Sequence, residues 1–188
     1  MRKKAHLNAE GLQQIINLKA SMNWGLSDIV KSNFINTIPV DRPIINIKNI
    51  PDPHWISGFI CGEGNFDVDI HKAKSHKIGY QVQLKFKICQ HERDIKLLEL
   101  LIKYLCSSKI TKASRFPVVY LTITKLEQIN KVLIPLFNNY PMFGVKQLDF
   151  LDWCKVAKLM NEERHFTVEG LELIRTIKSK MNTGRKFY

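Results

Sequence analysis

Asp52-Pro53-His54-Trp55-Ile56-Ser57-Gly58-Phe59-Ile60-Cys61-Gly62-Glu63-Gly64 reads as one helix with an unusual surface. Asp52 stands where an N-cap belongs and Pro53 at the first helical position, where its missing N–H costs nothing. Gly58 and Gly62 lie four apart, on one face. Inside a helix a glycine costs about 1 kcal/mol against alanine. Two on one face point to a backbone that another helix approaches closely, and the small residues Ser57 and Cys61 are assigned to the same pairing surface. Glu63 falls at the helix C-terminus, where the helix dipole disfavours an anion unless a cation meets it. Gly64 is a natural stop.

Downstream the pattern changes period. In Phe66-Asp67-Val68-Asp69-Ile70-His71 and in Gln81-Val82-Gln83-Leu84-Lys85-Phe86-Lys87-Ile88 the apolar residues are even-numbered. Alternation of this kind predicts half-buried antiparallel strands. The other face carries Asn65, Asp67, Asp69, His71, Gln81, Gln83, Lys85 and Lys87. Glutamine suits adenine edges, and lysine suits guanine or phosphate. The connecting loop, with Lys72, Lys74, His76 and Lys77, extends this set, and position 73 is counted with it. A helix is expected from about 93 to 105, then a second hairpin over 109–123. There Lys109, Thr111, Tyr120 and Thr122 share a polar face, with Arg115 in the turn.

Composition bounds the possible partners. The chain has 188 residues, 29 Lys+Arg against 17 Asp+Glu and a net charge of +12, which favours a polyanion, most commonly nucleic acid. Cys61, Cys89, Cys106 and Cys154 show no CxxC spacing, so reduced thiols are expected rather than a zinc site. The N-terminal stretch is amphipathic rather than a signal core, and no apolar run is long enough to cross a membrane. Abundant Ile, Lys and Asn have AT-rich codons, which points toward an organellar genome.

The two ends of the chain repeat each other. His6, Glu10, Gly11, Leu12, Ile15, Lys19, Met22 and Asn23 recur as His165, Glu169, Gly170, Leu171, Ile174, Lys178, Met181 and Asn182, at a constant offset of 159 (165 − 6). Each copy reads as a helix, with Asn8 or Thr167 as cap. A repeat of this size signals a duplicated domain. Residues 1–24 are therefore expected to be the last helix of a preceding repeat, 25–51 a linker with a short edge strand at 44–50, and 52–188 one full domain.

Ile56 to Gly64 resembles the LAGLIDADG motif of homing endonucleases, with Glu63 at the position of the metal-binding acid. The surrounding residues resemble the second motif of two-repeat fungal and organellar members. Cys89-Gln90-His91-Glu92-Arg93-Asp94, the run from Tyr140 to Lys146 and the helix from His165 to Asn182 resemble the family in order and spacing. Cys61 departs from the founding pattern, which has an acid there.

The resemblance implies an α+β domain of plan αββαββα, with a four-stranded antiparallel DNA-binding sheet and helices on its other face. It implies an intron-encoded, divalent-metal-dependent DNA endonuclease, normally using magnesium, in a mitochondrion or otherwise inside a cell. Glu63, with Gly62, would hold the metal. Gln90 resembles the family's pocket glutamine and Lys146 its pocket lysine. One motif per chain implies pairing, as a homodimer or with a separate partner half, on double-stranded DNA. The alternative is a non-cleaving RNA-binding role, as an intron maturase or a structural component of a ribonucleoprotein.

Overall fold

The computed structural model describes residues 4–42, 48–50, 52–106 and 109–186. They divide into two units, Met1–Asn46 and Ile47–Tyr188. Each is considered by itself.

The first unit holds α1 (Ala9–Ala20) and α2 (Asp28–Asn33). Asn8 caps α1 by accepting from the Gly11 N–H at 2.7 Å. The helix α2 lies inside the expected linker. Ser27 occupies its N-cap position and Asp28 its first turn, signals too short to show as a period. The chain then returns to α1: the Asn17 side chain accepts from the Ile38 N–H and the Ser21 hydroxyl donates to the Val40 carbonyl. Of the strand expected at 44–50, residues 44–47 lie outside the described residues, and 48–50 form none.

The second unit begins with α3 (Pro53–Glu63), whose Asp52 side chain accepts from the His54 N–H at 2.7 Å. No loop separates α3 from β1 (Gly64–Lys72). A β-carbon on Gly64 would lie 2.4 Å from the Ile60 side chain and 2.8 Å from its carbonyl oxygen. Only glycine makes that junction. Then follow β2 (Tyr80–His91), α4 (Ile95–Tyr104), β3 (Ile110–Lys112) and β4 (Val118–Ile123). The expected helix over 93–105 is shorter, because a 3₁₀ turn at Glu92–Asp94 leads into it. The strands form one antiparallel sheet in the order β1-β2-β4-β3.

Three helical stretches follow the second hairpin where one was read. The first is α5 (Leu126–Gln128), a π turn (Ile129–Leu133) and α6 (Ile134–Asn139); then come α7 (Val145–Asn161) and α8 (Val168–Lys178). Pro135 has no N–H to offer the preceding turn, which accounts for the widened hydrogen bonding before it. The helices cover the sheet face that carries the even-numbered residues of β1 and β2 and the odd-numbered Val119, Leu121 and Ile123 of β4. Phe66 lies at the centre, with Phe86, Phe137, Phe150 and Trp153 packed around it at ring separations of 5.2, 5.8, 5.4 and 5.3 Å. All five are fully buried. The opposite face, odd-numbered in β1 and β2 and even-numbered in β4, stays partly exposed, which is the alternation expected of a half-buried sheet.

The repeat is visible bond by bond. The Leu7, Leu12, Ser21, Met22 and Gly25 N–H groups donate to Lys4, Asn8, Leu18, Lys19 and Met22 carbonyls. The Phe166, Leu171, Lys180, Met181 and Gly184 N–H groups donate to Glu163, Thr167, Ile177, Lys178 and Met181 carbonyls. Lys4 and Glu163 share a positive φ, as do Asn23 and Asn182.

Candidate functional site

Two adjacent faces of α3 build the site. On one, the Ser57 hydroxyl donates to the Tyr140 carbonyl at 2.5 Å and the Cys61 thiol to the Phe143 carbonyl at 3.5 Å. The His54 ring meets Tyr140 edge-on at 5.0 Å. Ser57 is therefore enclosed by its own domain, and Cys61 is turned toward the segment that leads into α7. Neither faces outward with the glycines, as the spacing suggested. The reason is rotational: residues 57 and 61 lie one position behind 58 and 62, about 100° around the helix. On the outer face, a β-carbon added to Gly58 or Gly62 would meet nothing within 4 Å. Trp55, stacked on Phe59 at 5.2 Å, stands one turn before them.

Glu63 ends α3 exposed, and forms no ion pair among the described residues. Its carboxylate and the last backbone carbonyls of the helix, including that of Gly62, are hard oxygen donors. They suit magnesium or calcium rather than a soft metal. Among the described residues no group of three His, Cys, Asp or Glu side chains converges. One carboxylate per chain is half a complement. A shared metal therefore fits these residues only with a second acid opposite.

Gln90 faces the helix side of the sheet, with Val119 as its register partner, opposite in sense to Gln81, Gln83, Lys85 and Lys87. The register pairs Ile88 with Gly64, next to Glu63. Gln90 thus lies about 7 Å further along its strand, two residues at about 3.4 Å each. Lys146 sits in the first turn of α7, half-buried. It lines an open cleft of about 530 Å³ with Cys61, Asn65 and Phe143. The cleft brings together Lys146 and Asn65; Glu63 and Gln90 are outside its lining.

The uncovered sheet face pairs its polar residues across strands: Asn65 with Lys87, Asp67 with Lys85, Asp69 with Gln83 and His71 with Gln81. Lys85 donates to Asp69 at 2.6 Å, and that hydrogen bond holds the Asp69 carboxyl below the usual carboxylate range despite some desolvation. His71 contacts Asp69 at 3.5 Å and Gln81 at 3.1 Å. The Lys87 ammonium lies over the Tyr120 ring, 3.9 Å from its centroid. Thr111 pairs with Tyr120, while Thr122 pairs with Lys87. Lys109 precedes β3, and Arg115 is exposed in the β3–β4 turn. Position 73 is alanine. Ala73 is half-buried, its N–H donates to the Gly79 carbonyl, and it offers no cation. The loop's positive charge comes from Lys72, Lys74 and Lys77.

Sequence reading missed the clamp behind this surface. Buried Asp149 accepts from the Asn182 N–H at 3.0 Å and from the Arg185 Nη2 at 2.8 Å; the same guanidinium reaches Asp152 at 2.7 Å. Burial pushes the Asp152 carboxyl up, but hydrogen bonds from Lys155 and Arg185 outweigh it, and it ionises below the usual range. The Asn182 amide donates to the Phe66 carbonyl at 2.9 Å and the Trp153 indole to the Asp67 carbonyl at 3.0 Å. These bonds fix β1, an edge strand, to α7 and the end of α8. The recurrence of Asn182 as Asn23 was the one available signal.

Known proteins resemble this chain in sequence and in fold. “Probable intron-encoded endonuclease 3” of Neurospora crassa is 51% identical over 172 residues, 91% of this chain but 32% of the relative. “Probable intron-encoded endonuclease 2” of the same fungus is 32% identical, over 96% of this chain and 41% of the relative. The crystal structure of the I-SmaMI LAGLIDADG homing endonuclease bound to cleaved DNA superposes with a TM-score of 0.96 at 46% identity, covering 99% of this chain and 62% of that one. The chain thus spans 32% to 62% of the length of these three proteins. The LAGLIDADG endonuclease family model matches residues 56–157, from the motif helix through most of α7. With the glycine-faced helix, its terminal acid and the antiparallel sheet that continues from it, this match places the chain in the LAGLIDADG endonuclease family.

Proposed function

We propose that this chain is the second half of a metal-dependent, site-specific DNA endonuclease, and that residues 52–188 form one repeat. One observation carries the reading: the open glycine face of α3 ends in an exposed carboxylate, unpaired among the described residues, and runs directly into a sheet whose free face carries lysine, glutamine, asparagine and histidine. The DNA-bound relative supports DNA as the substrate.

Pairing uses Gly58 and Gly62, against the motif helix of a second repeat or a second copy. Glu63, with the Gly62 carbonyl, would hold a divalent cation, normally magnesium. When bound, such an ion neutralises phosphate charge and activates water. The chain's own residues do the rest. Asn65, Asp67, Gln81, Gln83, Lys85, Lys87, Thr111, Tyr120 and Thr122 contact base edges or phosphates, flanked by His71, Lys109 and Arg115. Asp69 orients Lys85. Gln90 positions the strand end beside the acid, and Lys146 sets a positive charge near the cut phosphate. An organellar location is supported by the intron-encoded relatives, by the likeness to a mitochondrial protein of Saccharomyces cerevisiae, and by the abundance of residues with AT-rich codons.

The test is binding and cutting of a randomised DNA library in magnesium. Glu63→Gln is expected to lower cutting at least about a hundredfold, the scale of losing one stabilising charge, while affinity for uncut DNA is retained. Cutting at the native rate by that variant removes Glu63 from catalysis. Absence of salt-sensitive DNA binding by the native chain overturns the whole reading.

A further inference from the structure

Lys85 stands in β2 directly opposite Asp67 of β1, yet its ammonium goes to the diagonal acid. The Lys85 Nζ donates to the Asp69 Oδ2 at 2.6 Å, and the His71 Nδ1 lies 3.5 Å from the same oxygen. The His71 Nε2 is in turn 3.1 Å from the Gln81 side-chain oxygen. The other Asp69 oxygen, Oδ1, enters no hydrogen bond or ion pair among the described residues. The Lys85 ammonium carries three protons and gives one to Asp69, so two are left. The two side chains are 35% and 33% exposed. A free acceptor and two free donors thus stand side by side on the uncovered sheet face. The hydrogen bond from Lys85 also keeps Asp69 ionised at neutral pH, and an ionised carboxylate only accepts. An ion pair this exposed adds little stability, and a carboxylate on a face that meets phosphates repels them. The place of Asp69 therefore calls for a donor on the ligand.

We propose that Asp69 and Lys85 act as one recognition pair for a guanine–cytosine base pair in the major groove, with Asp69 as the residue that selects cytosine. In that groove guanine presents two neighbouring acceptors, N7 and O6, and cytosine presents the N4 amino donor beside them. The two remaining Lys85 protons match N7 and O6, and Asp69 Oδ1 accepts from the N4 amino group. An adenine–thymine pair puts its one donor, adenine N6, between the acceptors adenine N7 and thymine O4. Two donors on one ammonium with an acceptor to one side of it do not fit that alternation. The minor groove offers a single donor, guanine N2, between acceptors, and fits no better. The tether has a second effect. A lysine free to swing reaches phosphate and reads nothing, whereas a lysine hydrogen-bonded to Asp69 is held over the sheet. The assignment rests on the DNA-binding reading above, and goes beyond it by giving one base pair to one pair of side chains.

The test selects duplexes from a randomised library with the full chain and sequences the bound fraction. One position is expected to be fixed as guanine–cytosine, and to become free in Asp69→Ala while the other preferences are kept. Asp69→Ala should bind unselected DNA at least as tightly as the native chain, because it removes a negative charge, and should keep its melting temperature. N4-methylcytosine at the fixed position turns a methyl group into the groove where the N4 proton stood. It should weaken binding by the native chain at least about fivefold, the low end for one good base contact, and leave Asp69→Ala unaffected. A preference that survives Asp69→Ala overturns the recognition pair, as does native binding that is indifferent to the methylated base. A selected site without such a position overturns it too, as does one in which Asp69→Ala frees an adenine–thymine pair instead. A fall in affinity for all sequences alike assigns Asp69 to the shape of the sheet and removes it from recognition. If the native chain binds no DNA, the DNA-binding reading itself fails and the recognition pair with it.

Discussion

α1 and α8 were written from one template and ended in opposite surroundings. Both start from a capped turn, both carry Glu in the first turn, and both close through an asparagine with positive φ. One is packed against a core and the other shows its stripe to solvent. Helical geometry here is therefore set by short-range chemistry, and burial by what lies beyond the helix. Local structure forms whether or not the stripe is buried, because caps and turn hydrogen bonds do not depend on burial.

The comparison breaks first at the clamp that follows α8 and, among the described residues, has no counterpart after α1. Asp149→Ala leaves the Arg185 guanidinium and the Asn182 N–H facing a low-dielectric gap, so a loss of about 3–5 kcal/mol is expected in urea unfolding of the second unit. A loss under 1 kcal/mol would mean that the clamp is ornamental. Next comes the stripe. Ile174→Ala should cost about 2–5 kcal/mol, whereas Ile15→Ala should change the stability of the free chain by no more than about 0.5 kcal/mol. Equal costs would erase the distinction between the two copies. The caps sharpen it from the other side. Asn8→Ala and Thr167→Ala should each cost about 1 kcal/mol, measured as loss of helix amide protection, because the cap bond is alike in both. The smallest effect is on acid stability. Asp152 ionises below its ordinary range when folded. Its contribution is thus present above the unfolded carboxyl pKa, near 3.9, and is lost as pH falls through the lowered folded value. Asp152→Asn should flatten the acid limb of the second unit's stability curve below about pH 4, and an unchanged limb would exclude Asp152.

What could be read in the sequence followed the same division. Asp52-Pro53 announced α3, the even-numbered residues of β1 and β2 announced the buried face of those strands, and the 159-residue offset announced the paired helices, because capping, alternation and duplication are written in neighbouring or periodic positions. The inward turn of Ser57 and Cys61 was not legible, since it depends on carbonyls of Tyr140 and Phe143, more than eighty positions away. Nor was the clamp of Asp149, Asn182 and Arg185, which joins the start of α7 to the chain after α8. The short helix α2 carries six residues and no buried side chain, too little for any period to emerge. Of the candidate site, residue types and strand faces were legible. That Gln90 lies on the helix side and Lys146 in a cleft with Asn65 was not, because both depend on how strand ends and helix starts meet in space.

The junction at Gly64 has a mechanical meaning. With no loop between helix and strand, and with Ile60 pressed against the turn, the carboxylate of Glu63 and the side chains of β1 move as one piece. In the proposed endonuclease that rigid splice works as a gauge. It sets how many base pairs separate the severed bond from the first nucleotide that is read, and a target with one base inserted between them would be out of phase with the blade.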